Sequence, residues 1–119
     1  MRKKNYKGRV DKRIVPKCED VCRTYDVLQY KYADLLSKSD DVESFQVNVL
    51  LEGLEIGEYT SDFVITKKDG GLMVRECVFR DKIMKPLACK LLDASRDYWL
   101  GHGVTDWGIV VDKKQESDE

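Results

Sequence analysis

Two acids, Asp62 and Glu76, fall in a stretch that reads as a β-hairpin with one acid on each strand. Residues 59–66 and 72–78 are rich in β-branched and aromatic side chains, and Lys68, Asp69 and Gly70 lie between them. If those three residues form the loop, with Gly70 in the left-handed position of a bulged turn, Asp62 lies directly opposite Glu76. Their Cβ atoms are then about 5 Å apart. Two ionised carboxylates at that distance repel by roughly 3 kcal/mol at an effective dielectric of 20, a strain that a divalent cation or a shared proton between them removes. A metal site built on Asp62 and Glu76 is the chemistry this spacing suggests. A two-residue Asp69-Gly70 turn gives another outcome: Asp62 then faces Cys77, the acids take opposite faces, and both are ordinary solvated strand residues.

The elements that must position the pair follow from periodicity. Residues 14–23 are expected to form a short helix beginning near Pro16, a residue suited to a first turn. Residues 26–36 place Leu28, Tyr32, Leu35 and Leu36 at the spacing of an amphipathic helix. Residues 44–50 alternate like a half-buried strand. Beyond the hairpin, Lys85-Pro86 opens a second long helix through Leu87, Leu91, Ala94 and Tyr98, closed by Gly101 and Gly103. A last strand spans residues 107–111. The order helix, three strands, helix, strand predicts an α/β fold: a mixed central sheet with flanking helices.

At 119 residues the chain is long enough for one domain with a core and too short for two lobes. No stretch resembles a membrane span, and the basic start is not followed by the apolar run of a signal peptide, so a cytoplasmic protein away from membranes is expected. The net charge of -1 hides a polarity along the chain. Arg2, Lys3, Lys4, Lys7, Arg9, Lys12 and Arg13 crowd the start, and residues 1–13 read as a basic arm that binds DNA phosphates or, more plainly, as a solubilising tail. Residues 14–112 form the folded unit, and residues 113–119, with Glu116, Asp118 and Glu119, a disordered acidic tail. Cys18, Cys22, Cys77 and Cys89 read as reduced thiols. Cys18 and Cys22 are spaced for one face of a helix, and a zinc site using them would draw on Cys77, Cys89 or His102. His102, between Gly101 and Gly103, reads as a turn residue after the helix.

Several motifs coincide: Ser44-Phe45, Tyr59-Thr60-Ser61-Asp62-Phe63, Lys68-Asp69-Gly70, Val74-Arg75-Glu76, and Tyr98-Trp99-Leu100 ahead of Gly103-Val104-Thr105-Asp106-Trp107. Together, over roughly residues 25–112, they resemble the restriction-endonuclease-like core of the PD-(D/E)xK nucleases. More narrowly, they resemble the N-terminal domain of TnsA-type endonuclease subunits of heteromeric transposases. The resemblance implies that Asp62 and Glu76 hold Mg²⁺ or Mn²⁺ for phosphodiester hydrolysis, with Gln29 as the supporting group from the first helix. It implies as partners DNA, a transposase subunit and an AAA-type ATPase of the same element. Three positions depart from the family. Gln29 stands where the family has a glutamate, Val78 where it has the catalytic lysine, and Ser61 where it has a proline. A migrated cation, Lys82 or Arg80, would have to replace that lysine. The resemblance thus implies a metal-dependent endonuclease that nicks transposon ends, or else a catalytically degenerate DNA-binding and interaction subunit. An unrelated interaction domain is the third reading.

Overall fold

The computed structural model describes residues 10–54, 57 and 59–112. Six strands and two helices run in the order β1 (Asp11–Arg13), β2 (Cys22–Thr24), α1 (Val27–Lys38), β3 (Val42–Leu51), β4 (Tyr59–Lys67), β5 (Leu72–Cys77), α2 (Pro86–Gly101) and β6 (Asp106–Val110), with a 3-10 turn at Arg80–Lys82 before α2. The four long strands form a mixed sheet in the order β3-β4-β5-β6. The first three are antiparallel, while β6, reached through α2, pairs parallel to β5. The protein is thus α/β with a mixed four-stranded sheet and two helices, as the periodicity of the sequence leads one to expect.

Alternation along β4 and β5 separates two cores. Phe63 and Ile65 pack with Leu28, Ala33 and Leu36 of α1, whereas Val64 and Val74 pack with Trp99 of α2. The sheet therefore lies between the two helices. Asp26 caps α1, its carboxylate accepting the Gln29 N–H at 2.8 Å, and Pro86 stands in the first turn of α2, where its missing N–H costs nothing.

The hairpin register settles the first question the sequence raises. Thr66 pairs with Leu72 and Phe63 with Arg75, the Lys67 N–H reaches the Gly71 carbonyl at 2.8 Å, and Gly70 has φ +91°. The loop is Lys68-Asp69-Gly70 and the paired ladder ends at Phe63 with Arg75, a register that one step further brings Asp62 level with Glu76.

The start of the chain differs from expectation in two ways. Residues 14–23 are not a helix. The backbone of this segment is taken by the edge of β3 instead: Cys18 bridges to Phe45, the Glu19 N–H donates to the Phe45 carbonyl at 3.0 Å and the Phe45 N–H to the Lys17 carbonyl at 2.8 Å. Burial alternates along Cys22–Thr24 with the period of a strand. Second, the folded unit includes Asp11–Arg13, which pair antiparallel with β2. The boundary thus moves forward of residue 14. Arg2, Lys3, Lys4, Lys7 and Arg9 of the basic arm lie outside the described residues, as does the tail at 113–119. Among the described residues, no helix is long and apolar enough to cross a membrane.

Candidate functional site

Asp62 is 2% exposed, Glu76 0% and Gln29 2%, so the pair and its helical neighbour are buried together rather than solvated. What buries them is a change of face halfway along two strands. On β3, Val47 packs with the α1 core and Val49 with the α2 core. On β4, Phe63 belongs to the α1 core, while Ser61 accepts the Trp99 indole N–H of α2 at 2.9 Å. Strict alternation would put Val47 and Val49 on one face, and likewise Ser61 and Phe63. The switch falls at Asn48 and Asp62, and Asn48 carries φ +53°, a left-handed conformation that asparagine tolerates better than most residues. Its amide is tied to the Arg23 carbonyl of β2 at 2.9 Å.

At this twist the β4–β5 ladder gives way to side-chain bonds. The Asp62 N–H donates to Glu76 Oε1 at 2.9 Å, and the Cys77 N–H donates to Asp62 Oδ2 at 2.8 Å. Each carboxylate thus accepts from the backbone of the other acid's strand. The remaining oxygens look to opposite helices. Asp62 Oδ1 accepts from Gln29 Nε2 of α1 at 3.2 Å, and Glu76 Oε2 accepts from the Ser95 hydroxyl of α2 at 2.7 Å. Every carboxylate oxygen of the pair meets a donor, the pattern that suits acceptor-only carboxylates.

Behind Glu76 the donors form a relay with a fixed direction. The Trp107 indole N–H donates to Ser95 Oγ at 3.0 Å, and the Trp99 N–H to Ser61 Oγ. An indole nitrogen can only donate, and the Ser95 proton is given to Glu76, which leaves Ser61 as the donor in the long 3.5 Å contact between the two hydroxyls. Sequence reasoning missed this relay. The signal available was Ser61 in place of the family's proline, with Ser95 on the buried side of a helix otherwise read from its apolar residues.

Gln29 of α1 lies beside Asp62, but as a donor and not as a ligand. Gln29 Oε1 accepts the Tyr25 N–H at 2.8 Å, which turns the amide nitrogen toward Asp62. A nitrogen that donates to a carboxylate offers no ligand to a hard cation. Two acids whose oxygens already accept from four protein donors, one of them the Gln29 amide nitrogen, do not fit Mg²⁺ or Mn²⁺ in this arrangement. Among the described residues, no cluster of three or more His, Cys, Asp or Glu side chains is placed to hold an ion.

The replacement cations do not converge on the pair either. Arg80 is drawn to Asp112, its N–H reaching Oδ1 and its Nε the carbonyl, both at 2.6 Å. Lys82 lies exposed on the 3-10 turn and borders a cleft whose walls do not include Asp62 or Glu76. At the other end of the chain, Arg13 is used inside the fold. It reaches Asp34 at 2.8 Å and the Tyr30 carbonyl at 3.2 Å, and stacks over the Tyr30 ring, so of the two basic arm residues described, Lys12 and Arg13, only Lys12 is exposed.

The cysteines do not assemble a zinc site. Cys22 is fully buried and its thiol hydrogen-bonds that of Cys18; burial, reinforced by Cys18, pushes the Cys22 thiol up to about 12. Cys77 is buried at the end of β5, and Cys89 is exposed with its thiol on the Ile83 carbonyl at 3.3 Å. His102 caps the end of α2, with Nδ1 2.8 Å from the Tyr98 carbonyl and its ring stacked on Tyr98, the turn residue its flanking glycines suggest.

A contrasting acid lies one strand away. Asp106 of β6 receives Arg75 at 2.8 Å and Lys67 at 3.2 Å, and the hydrogen bond from Arg75 holds its carboxyl below the usual carboxylate range. Arg75 reaches it by lying across Gly108, where a Cβ would meet the guanidinium carbon at 3.4 Å. No protein-family model matches this chain, and no curated protein matches it either.

Proposed function

We propose that this chain is a restriction-endonuclease-like domain of the TnsA type that has given up its metal chemistry and serves transposition as a DNA-binding and interaction subunit, working with a transposase and an AAA-type ATPase. Support for the lineage comes from the element order α1-β3-β4-β5-α2-β6 and from the register that sets Asp62 opposite Glu76 in mid-sheet. The observation that carries the loss of catalysis is that all four carboxylate oxygens of the pair accept hydrogen bonds from the protein, with the nitrogen of Gln29 turned toward them. Acids satisfied in this way hold the sheet to both helices without a cation.

A second reading keeps the nuclease active, and one observation favours it: the Gln29, Asp62 and Glu76 side chains lie buried within hydrogen-bonding reach of the same stretch of β4. The two readings separate in a single assay. Supercoiled plasmid and a labelled duplex are incubated with the protein in Mn²⁺, alone and with the transposase partner, beside Asp62→Ala and Glu76→Ala. Duplex binding that persists in EDTA, with no nicking in any mixture, is the expected result. Nicking that disappears in both variants would establish the nuclease and overturn the proposal. Absence of any duplex affinity at low salt would remove the DNA-binding part, because phosphate contacts are strongest there.

A further inference from the structure

A cleft of about 410 Å³ lies between the start of α1 and the first turns of α2, a size within the range of ligand sites. Its floor is apolar: Val78 and Phe79 just after β5, Leu91 and Leu92 from α2. Its rim carries Lys82 and Lys85, and Leu87 and Ala88 bring the first turn of α2 to the same opening. That turn contains no acidic residue, and Lys85 supplies no capping side chain, so the positive end of a 16-residue helix adds to the two ammonium groups. The one acid on the wall, Asp26, accepts the Gln29 N–H and so stands against the positive end of α1. The other charges of the 3-10 turn do not line the cleft; Arg80 is held by Asp112. The apolar surface also continues outward, since Leu87 is 53% and Met84 83% exposed.

Apolar floor, cationic rim and an apolar ledge leading away from them make a poor fit for a phosphodiester backbone, which carries charge but little apolar surface. They suit an extended protein segment in which apolar side chains alternate with acidic ones: the former enter the cleft and cover Leu87 and Met84, the latter meet Lys82, Lys85 and the α2 N-terminus. We infer that the cleft between α1 and α2 is a docking site for an acidic, apolar peptide segment of a protein partner. The inference does not depend on whether Asp62 and Glu76 hold a metal.

The test uses the full chain in EDTA and a dye-labelled synthetic decapeptide alternating Leu or Phe with Glu, followed by fluorescence anisotropy. A control peptide carries Lys in place of Glu, and a labelled DNA duplex is a third probe. The acidic peptide should bind and the basic one should not. Lys82→Glu with Lys85→Glu, at exposed positions, should weaken it by about tenfold or more, the effect of some 1.4 kcal/mol. Ala88→Trp, which fills the cleft from its wall, should abolish binding while the melting temperature is held. Equal affinity for the two peptides, an undiminished affinity in the double lysine variant, or duplex DNA competing for the same site with the charge-reversed cleft as its only loss would each overturn the inference.

Discussion

Asp106 and the Asp62–Glu76 pair stand on neighbouring strands of one sheet and are stabilised by opposite means. Asp106, with its side chain 38% exposed, is held by two cations, Arg75 and Lys67. Asp62 and Glu76 are dry, and the bonds that satisfy them come from an amide, two backbone N–H groups and a serine hydroxyl. Ion pairs near water are weak because the solvent competes for both charges. Neutral donors in a dry interior are worth more, since a carboxylate stripped of them has nowhere else to turn. The difference teaches that the acids of this sheet differ in consequence by their surroundings, not by their type: the dry pair ties the sheet to both helices, and the plain surface acid is a clasp.

The largest effect that sharpens this comparison is expected from amide replacement in the pair. Glu76→Gln turns an acceptor-only group into one whose NH₂ must face either the Ser95 hydroxyl or the Asp62 N–H, both donors. A loss of about 2–4 kcal/mol in urea unfolding is expected, with Asp62→Asn similar because it sets an amide against Gln29 Nε2 or the Cys77 N–H. A loss below about 1 kcal/mol in both would mean that the donors rearrange freely and that the pair is not a structural core.

Ser95→Ala should come next, at about 1–3 kcal/mol, because it strips Glu76 of a donor and leaves the Trp107 N–H without its acceptor. Ser95→Thr, which keeps the hydroxyl, should recover part of that. A threonine variant no better than alanine would point to tight packing rather than the relay.

The smallest effect belongs to Asp106→Asn, below about 1 kcal/mol and smaller still in high salt. Its pH dependence has a definite sign. The folded carboxyl is depressed, so its contribution is present above the unfolded value of about 3.9 and is lost as pH falls through the lower folded value. Acid titrations of wild type and Asp106→Asn should therefore converge only below about pH 4. Curves that already coincide at pH 6 would show that the clasp contributes nothing.

Much of this architecture was legible in the chain, and for identifiable reasons. The hairpin and its Gly70 turn were legible, since a glycine takes a left-handed turn position without strain, but Gly70 suits a two- or a three-residue loop, and the register had to come from the structure; both helices followed from their apolar spacing, the second also from Pro86 at its start. Residues 14–23 misled because a proline at a plausible first turn is equally at home in an edge segment; what decided between them was a long-range pairing with Phe45 that no local pattern encodes. The candidate site was half legible. The three-residue loop reading gave Asp62 and Glu76 as neighbours and the resemblance to the nucleases implied Gln29 beside them, but the direction of the Gln29 amide depends on Tyr25, and the burial of the pair on the reversal of face at Asn48. Neither is a property of spacing.

The serine relay has an optical consequence. The chain contains two tryptophans, and the indole N–H groups of both feed the hydroxyls that end on Glu76. Indole emission shifts with the field along the ring and with the strength of the N–H hydrogen bond, so the tryptophan emission of the protein is tied to the state of one buried carboxyl group. A change at Glu76, by proton, cation or substitution, should therefore be visible in the emission spectrum without any label.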